Sequence, residues 1–188
     1  FQYIDINSVI KKIFINTKHL IKFFYEIVHQ FFITLYVFEL VVKKKNLLSN
    51  RKYFILTKQS QIKNKKIFID HFRKNPKKIT RFKYAKFFGI EKDNKIVCYC
   101  WAGYKKTDRW YITEINKYVN FGKSIVLFDA LTLAECRNQG YYQDLLKYIQ
   151  NNFLKKKIVV YIQSTYPESL KATKKTNFKK IGEMTKNN

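Results

Sequence analysis

The sequence has few of the residues that build disulfide frameworks or metal sites. Its three cysteines, Cys98, Cys100 and Cys136, are odd in number and include no C-x-x-C pair. Small disulfide proteins need an even set, and zinc sites usually need paired cysteines or histidines at short spacing. Neither a disulfide scaffold nor a metal site is therefore predicted, and reduced thiols in the cytoplasm are expected.

Uninterrupted apolar runs are short as well. In the apolar region near the N-terminus, the longest run extends from Phe31 to Phe38, far below the ~20 residues of a membrane-spanning helix. Residues 9–33 place charged side chains every three or four positions among apolar ones, which predicts an amphipathic helix. We expect this helix to pack on the protein core, and peripheral contact with a membrane surface is the alternative.

Acidic residues are scarce. There are 13 Asp and Glu against 38 Lys and Arg, which gives a formal net charge of +25. Such a charge provides nonspecific affinity for phosphates, but the basic residues are spread along the chain and no element that reads bases is recognisable. We therefore do not expect nucleic-acid binding as the main role, because the same field would suit an anionic cofactor or a nucleotide-linked substrate.

Proline and glycine are also rare, and the sequence contains no repeat or low-complexity tract. A length of 188 residues with 46% hydrophobic composition fits one domain with a core rather than two domains. We expect a helix and strand extension over residues 1–45, packed on a domain over residues 46–188. The sequence starts at Phe1 rather than Met, so we expect a fragment or a processed chain, whose C-terminal end could also be incomplete.

Hydrophobic patterning divides the first half of the chain into strands and one helix. Apolar β-branched runs predict strands, whereas apolar residues three or four positions apart predict a helix. The aromatic stretch from 110 to 121 is predicted to be irregular, either a substrate lid or a surface loop that buries its aromatics. The elements predicted before it are strands over residues 35–42 and 53–57, a helix over 62–73, and a hairpin of strands over 84–90 and 95–104 with a polar turn at 91–94.

The second half alternates strands and helices around one central unit. The run Ile125–Phe128 predicts a strand, and Leu145 and Ile149 predict the buried face of a helix. Between them lies a polar turn with Arg137 and Gly140, where unpaired amides at a helix start can bind an anion. This order predicts a mixed α/β sheet with helices on both faces. The elements predicted to follow are a strand over 157–163, a helix over 167–175 and a strand over 179–184.

Three segments carry a resemblance to one family. The turn Arg137-Asn138-Gln139-Gly140-Tyr141-Tyr142 is similar to an R-x-x-G-x-G/A pyrophosphate turn. Residues 129–137 are similar to a D-x-h-x-h-x-x-x-R strand approach, in which h is hydrophobic, and residues 169–182 to an S-h-x-A-x-x-K-x-G-F-x-x-x-G ending. The three occur in the family's order, each on the predicted element. Over about residues 50–184, the chain therefore resembles the GNAT superfamily of N-acyltransferases.

The resemblance implies a GNAT-like fold, a mostly antiparallel twisted sheet flanked by helices, with acetyl-CoA or another acyl-CoA as cosubstrate and no metal. It implies that the Leu131 amide polarises the thioester carbonyl, that Leu133 holds the pantetheine arm, and that the turn amides hold the diphosphate. The residues implied to bind the cosubstrate are Leu131, Thr132, Leu133, Arg137, Asn138, Gln139, Gly140, Tyr141, Tyr142, Tyr166 and Ser169.

The sequence departs from the family pattern at several positions. Asn138 and Tyr142 replace small residues, which predicts a wider turn or an aromatic wall beside the phosphates. Asn177 replaces the glycine before Phe178, and Asn tolerates left-handed dihedrals better than most residues. Thr173 stands where many members carry the tyrosine that protonates the departing thiolate, so the sequence assigns no proton donor.

Two carboxylates are candidates for accepting the proton of the attacking amine. Asp129 is the first choice, because the two-residue period of a strand puts it on the same face as Leu131 and Leu133. The alternative is that Asp129 orients the substrate or pairs with a lysine. Glu114, in the aromatic stretch before this strand, is the second candidate, and a solvated loop carboxylate is the alternative there.

The remaining reactive and aromatic side chains have simpler interpretations. The histidines are expected on the surface or in packing, and Cys136 is expected to be inert. Some of the aromatic residues could line an acceptor pocket, although core packing is the more common role. The histidines and aromatics concerned are His19, His29, His71, Trp101, Trp110, Tyr111 and Tyr118.

Together these observations predict a cytoplasmic N-acyltransferase that acts on a primary amine. The segment Tyr99–Gly103, Glu114 and Asp129 resemble members that acylate amino sugars on nucleotide carriers for surface polysaccharides. Such a nucleotide-linked amino sugar is the expected acceptor. Acylation of a peptide or protein amine, and a basic nucleic-acid-binding module without turnover, are the alternatives.

Overall fold

The computed structural model describes residues 33–40 and 45–186. The amphipathic helix predicted over residues 9–33 lies outside this range apart from Ile33, and so does the end of the strand predicted over 35–42. Within the described ranges, no helix combines the length and the apolar character needed to cross a membrane.

Seven of the nine strands in the described part of the chain form one twisted sheet. Its order is β2-β3-β4-β7-β8-β1-β9, and every neighbouring pair is antiparallel except β7 and β8. The mixed, mostly antiparallel sheet predicted from the sequence is thereby confirmed. The strands are β1 (Leu35–Leu40), β2 (Lys52–Leu56), β3 (Ala85–Lys92), β4 (Lys95–Gly103), β5 (Arg109–Ile112), β6 (Lys117–Asn120), β7 (Ile125–Thr132), β8 (Ile158–Gln163) and β9 (Phe178–Met184).

Helices cover both faces of this sheet, as predicted. Successive side chains of a strand point to opposite faces of the sheet. Phe87 and Phe88 are neighbours on β3 and both are fully buried, so both faces of the sheet must be covered. Phe88 packs in the core under α2 (Tyr141–Asn152), and Phe87 packs in the core under α1 (Lys66–Lys74). The helices are α1 (Lys66–Lys74), α2 (Tyr141–Asn152) and α3 (Pro167–Lys174), with 3-10 helices η1 (Gln59–Asn64), η2 (Pro76–Lys83) and η3 (Ala134–Cys136).

The helix predicted over residues 62–73 is therefore two elements, η1 and α1. Asn75 ends α1 where the sequence predicts its end, just before Pro76. The 3-10 helix η2 follows directly, and the sequence analysis did not predict it. Proline suits the first position of such a helix because that position needs no amide hydrogen.

The β1 strand, which belongs to the predicted N-terminal extension, lies inside the sheet between β8 and β9. Leu35 and Phe38 on this strand are fully buried. A domain boundary near residue 45 stays a prediction, but the strand before it contributes directly to the main core.

The hairpin predicted for β3 and β4 is confirmed with a tighter turn. Lys92 pairs with Lys95, so only Asp93 and Asn94 form the turn, with φ of 49° and 57°. Two-residue hairpin turns favour positive φ at both positions, and Asp and Asn tolerate it. Glu91, predicted to lie in the turn, is instead a buried strand residue that pairs with Lys52 and Lys65.

The prediction of an irregular stretch over residues 110–121 is wrong. Most of this stretch forms the β5–β6 hairpin, a two-stranded sheet of its own. Trp110 and Ile112 point into a core that includes Val126, whereas Tyr111 between them is exposed. This is the two-residue alternation of a half-buried strand, hidden in the sequence by aromatic residues at both kinds of position.

Candidate functional site

The two parallel strands at the centre of the sheet part after three residue pairs. Ile125–Leu127 pairs with Ile158–Val160, and the β7–β8 ladder goes no further. Beyond that point a cleft of about 240 Å³ opens between the strands. The lining residues are Cys100, Glu114, Leu127, Phe128, Asp129, Ala130, Tyr142, Val160, Tyr161, Ile162, Gln163, Tyr166 and Ser169.

A bulge on β7 shapes the wall of this cleft. Trp101 pairs with Phe128 and Tyr99 pairs with Leu131, so two residues of β7 stand opposite Cys100 alone. The bulge includes Asp129, whose φ is 48°. Such a bulge bends the strand and redirects side chains, and bulges often occur beside functional sites. Here it turns β7 away from β8.

Asp129 is held by two cations from η2. Lys78 Nζ lies 2.9 Å from Asp129 Oδ2, and an Arg81 guanidinium nitrogen contacts the same oxygen. Lys78 also donates a hydrogen bond to the Tyr99 hydroxyl at 2.8 Å. Burial opposes the charged form of Lys78, but its hydrogen bonds to Tyr99 and Asp129 outweigh this and raise its pKa above the ordinary value. The ion pair that the sequence analysis named as an alternative is therefore present.

Glu114 reaches the same cleft from the turn between β5 and β6. Its Oε2 accepts a hydrogen bond from Thr113 Oγ1 at 3.0 Å. Tyr161 lies across the cleft on β8, where burial raises the pKa of its hydroxyl and the negative charge of Glu114 raises it further. The negative charge of Asp129 also raises the pKa of Tyr161. The two carboxylates predicted from the sequence therefore lie around one tyrosine.

The predicted pyrophosphate turn lies where β7 leads through η3 into α2. Asn138 and Gly140 have φ of 60° and 77°, and left-handed residues in a turn direct successive amides to one side. Among the described residues no side chain caps the start of α2 at Gly140, so the first amides of the helix stay available to an anion. Among the described atoms, a Cβ on Gly140 would come within 4 Å of one Arg51 nitrogen, at 3.8 Å. Glycine is needed here for its dihedral angle, not for space.

Arg51, which the sequence analysis missed, braces this turn. Its Nη2 donates to the Gln139 carbonyl at 2.6 Å, and its Nε donates to Asp144 at 2.7 Å. The guanidinium carbon also lies 3.7 Å from the centre of the Tyr141 ring. Arg51 neutralises an aspartate in the first turn of α2 and places positive charge beside the amides. No local pattern could have indicated it, because its partners are 88 to 93 residues away in sequence.

Between the cleft and the turn, polar groups of the last residues of β7 and of Leu133 already have hydrogen-bond partners. The Leu133 amide donates to the Val97 carbonyl, and the Leu133 carbonyl accepts from the Cys136 amide, both at 2.9 Å. Thr132 Oγ1 lies 3.2 Å from the Cys98 sulfur. Leu131 precedes them on the β4-paired edge with its side chain 41% exposed.

Tyr142 projects from the first turn of α2 into the cleft, next to Thr173 of α3. Thr173 Oγ1 is buried and makes no hydrogen bond with any described residue, although the Tyr142 hydroxyl is its neighbour. Burial raises the Tyr142 pKa above its ordinary range, and the nearby Cys100 thiol adds to the shift. A neutral phenol therefore lines the cleft beside the position from which the expected tyrosine is missing.

The other predicted side chains divide into two groups. Tyr166 and Ser169 line the cleft from the start of α3. Trp101 and Trp110 are core residues, and neither they nor the exposed Tyr111 and Tyr118 line the cleft. The histidines His19 and His29 lie outside the described residues, and within the described ones no group of His, Cys, Asp and Glu could hold a metal ion.

No protein-family model and no curated protein matches the chain. Solved structures do resemble it. A protein assigned to the GNAT family of acetyltransferases from Novosphingobium aromaticivorans is 10% identical over 81% of this chain and 62% of its own, with a TM-score of 0.54. A GNAT-family acetyltransferase from Colwellia psychrerythraea is 12% identical over 80% and 53%, with a TM-score of 0.53. A conserved protein of unknown function from Staphylococcus epidermidis is 9% identical over 80% and 59%, with a TM-score of 0.56.

These similarities establish that the chain has the GNAT fold. Identities near 10% carry no information on the substrate. The chain also spans only 62%, 53% and 59% of the lengths of the three proteins.

Proposed function

We propose that this protein transfers an acyl group from acetyl-CoA, or another acyl-CoA, to a primary amine. The observation that carries the proposal is the parting of β7 and β8 after Leu127, on the strand that leads through η3 to the start of α2, which no described side chain caps. A groove between strands can accept an extended pantetheine arm, and the helix start can accept its diphosphate. The shared GNAT fold supports the same function.

The residues around the turn fit a diphosphate. The Arg137 amide already donates to the Ala134 carbonyl at 3.2 Å, so the amides from Asn138 to Tyr142 supply the donors. Arg51 cancels the charge of Asp144 in the first helical turn. Arg137 is exposed, and among the described residues its side chain makes one long hydrogen bond, 3.4 Å from Nε to the Thr132 carbonyl. Its guanidinium is therefore a further contact for phosphate oxygens.

The cleft residues fit the remaining steps. A bound acyl-CoA supplies an activated thioester, whose carbonyl oxygen would accept a hydrogen bond from the Leu131 amide. Asp129 or Glu114 accepts the proton of the attacking amine, directly or through water. The Tyr142 phenol, which its raised pKa keeps neutral, can donate a hydrogen bond to the departing sulfur. The thiolate then takes its proton from water, because the Thr173 hydroxyl is no suitable acid either.

The acceptor that we propose is an amino sugar on a nucleotide carrier, in surface polysaccharide synthesis. The positive charge of the chain would favour such a diphosphate-linked substrate. A peptide or protein amine is the second candidate. A binding module without turnover is a third, since Thr173 cannot replace a tyrosine in acid catalysis.

Thermal unfolding with and without coenzyme A tests the proposal. A ligand at a hundred times its dissociation constant stabilises the folded state by about 2.7 kcal/mol. Absence of any stabilisation by coenzyme A would overturn the proposed function. If it binds, release of free thiol with a panel of amino sugars, nucleotide-linked amino sugars and peptides identifies the acceptor, and binding without any thiol release would favour the non-catalytic module.

Two variants test the proton acceptor. Asp129→Asn should lower the rate more at neutral than at alkaline pH, because at high pH the amine is already unprotonated. Glu114→Gln should show that profile instead if Glu114 is the acceptor. An unchanged pH profile in both variants would show that neither carboxylate has this role.

A further inference from the structure

Two cations share a single carboxylate oxygen of Asp129, a residue that lines the cleft. Lys78 and Arg81 both contact Oδ2 of Asp129. Two positive charges against one negative charge leave an excess of one positive charge at this point. An ammonium has three N–H donors and a guanidinium has five, so the bonds to Asp129 and Tyr99 do not use all of them.

Both cations are held from behind by aromatic rings. The Lys78 nitrogen lies 4.9 Å from the centre of the Tyr99 ring. The Arg81 guanidinium lies 5.5 Å from the Phe128 ring and 5.7 Å from the Trp101 ring. Their side chains are only 17% and 26% exposed. Surface lysines are usually mobile and fully hydrated, whereas these two charges are partly desolvated and fixed in position.

The same cationic pair adjoins the groups proposed to receive the amine. The charges of all three residues reach the Tyr161 hydroxyl: Glu114 and Asp129 raise its pKa, and Arg81 lowers it. Glu114 and Asp129 line the cleft, and the two fixed cations contact one of these carboxylates, Asp129. A ligand that carries both an amine and an anionic group matches this arrangement, because each of its charges meets the opposite one.

We propose that Lys78 and Arg81 form an anion subsite for the acceptor, so that the acylated amine belongs to a molecule that also carries a carboxylate or phosphate. The anion binds the N–H donors that Asp129 leaves unused, and this orients the amine toward the thioester. The subsite rests on the proposed acyl transfer and assigns the residues that bind the anionic group of the acceptor, which the proposed function does not.

Matched acceptors test the subsite. Ethanolamine, O-phosphoethanolamine and β-alanine differ in bearing no anion, a phosphate or a carboxylate; glucosamine and glucosamine 6-phosphate form a second pair. We expect kcat/KM to be about tenfold or more higher for an anionic member than for its neutral partner. Whether phosphate or carboxylate gains more distinguishes the two sources of the anion.

Variants connect this preference to the two residues. Arg81→Gln and Lys78→Met should each reduce the ratio of kcat/KM between anionic and neutral acceptors to a few-fold or less, mainly through KM. Lys77→Gln is the matched control, because Lys77 is exposed on the same 3-10 helix, and it should leave the ratio unchanged. Using ratios within each variant removes effects on folding or on coenzyme A binding.

Calorimetry provides a readout that does not depend on turnover. O-phosphoethanolamine should bind the wild-type protein and the Lys77→Gln variant, and bind Arg81→Gln at least tenfold more weakly. If Arg81→Gln does not fold, Arg81→Lys replaces it, and it should bind with intermediate affinity.

The outcomes separate the subsite from the function on which it rests. Turnover of amines without an anionic preference, or with a preference that survives both variants, overturns the subsite and leaves acyl transfer intact. Failure of coenzyme A to bind overturns the proposed function, and equal binding of O-phosphoethanolamine to the wild type and Arg81→Gln would then overturn the subsite as well.

Discussion

At the scale of single residues, Asp129 illustrates how one dihedral angle sets the chemistry of a strand. Regular alternation after Leu127 and Phe128 would direct Asp129 toward α2, yet its ion pairs are with Lys78 and Arg81 of η2, on the other face. The positive φ at the bulge produces this reversal. Asp is among the few residues that tolerate such an angle.

His71 should make the protein sensitive to acid. Its Nε2 is buried without a hydrogen-bond partner among the described residues, and its ring packs edge-on against Phe72 and Tyr99. Burial, and then the positive charge of Lys78, lower its pKa from 6.5 to about 4. The unfolded chain therefore binds a proton at a pH where the folded protein does not, so the contribution of His71 to stability is fully present above pH 6.5 and is lost as the pH falls toward 4.

Thermal unfolding between pH 4 and 7.5 of the wild type and His71→Phe measures this effect. Phenylalanine keeps an aromatic ring in the same packing but cannot be protonated. The variant should lose about 1 to 2 kcal/mol less stability than the wild type on acidification, a value reduced to allow for the partial exposure of His71. Parallel curves for the two proteins would contradict a buried neutral histidine.

Arg51 should control coenzyme A affinity through the turn it braces. Arg51→Ala removes a bond to the Gln139 carbonyl and takes the 2.7 Å ion pair from Asp144, which lies in the first turn of α2 beside the phosphate position. We expect the dissociation constant of coenzyme A, measured by calorimetry, to rise about tenfold or more. Arg51→Lys keeps the charge but not the fork geometry, so it should recover only part of the loss.

Lys147→Ala is the control for this prediction. Lys147 also faces Asp144, at 3.9 Å, but it does not touch the turn. It should change the dissociation constant less than twofold, because an ion pair as long as 3.9 Å from a partly exposed lysine contributes little. A similar effect of both variants would mean that net charge matters and the bracing contacts do not.

At the scale of elements, the pairing of neighbouring strands decides where the cleft can open. β4 pairs along most of β7, so it holds that strand on one side while β8 leaves it on the other after Leu127. The β5–β6 hairpin packs against the first part of β7, where Trp110 and Ile112 are buried in one core with Val126. Its turn carries Glu114 to the cleft.

The edge pair of β2 and β3 depends on a glycine. Gly89 pairs with Phe54, and a Cβ built on Gly89 would collide with the Phe54 ring, which lies over it. Gly89→Ala should therefore destabilise the protein by about 1 to 3 kcal/mol, because the ring must move within a packed core. Denaturant unfolding measures the change.

Gly182 on the edge strand β9 is the matched control. A Cβ there meets no described atom within 4 Å. Gly182→Ala should be neutral or slightly stabilising, since alanine restricts the unfolded chain. Equal losses in the two variants would show that glycine is needed for backbone reasons at both sites.

At the scale of the whole molecule, the charge of +25 acts on every anionic ligand. Coenzyme A bound by aligned amides and Arg51 should weaken only about three- to tenfold between 50 and 200 mM salt, because fixed contacts at short range are screened less than distant charges. Duplex DNA held by dispersed lysines should lose ~1,000-fold or more over the same range. Filter binding or calorimetry at the two salt concentrations measures both. A DNA affinity that resisted salt would favour the nucleic-acid alternative.

The sequence by itself determined most of the elements and their order, apart from the β5–β6 hairpin and η2. The consecutive apolar residues Phe87 and Phe88 predict a strand, and the spacing of Leu145 and Ile149 predicts a helix. These are local patterns, and all four residues are fully buried in the structure. The central strand, turn and helix could also be predicted, because glycine at position 140 and the apolar residues on either side lie within one short stretch.

Only the tertiary structure decided which side chains meet. Arg51 reaches the turn from just before β2, Lys78 and Arg81 reach Asp129 from η2, and β1 inserts between β8 and β9. Each depends on contacts between segments far apart in sequence, and side-chain periodicity reports only whether a residue faces a core, not which residue it meets there. The charges that surround the cleft therefore became identifiable only after the sheet was assembled.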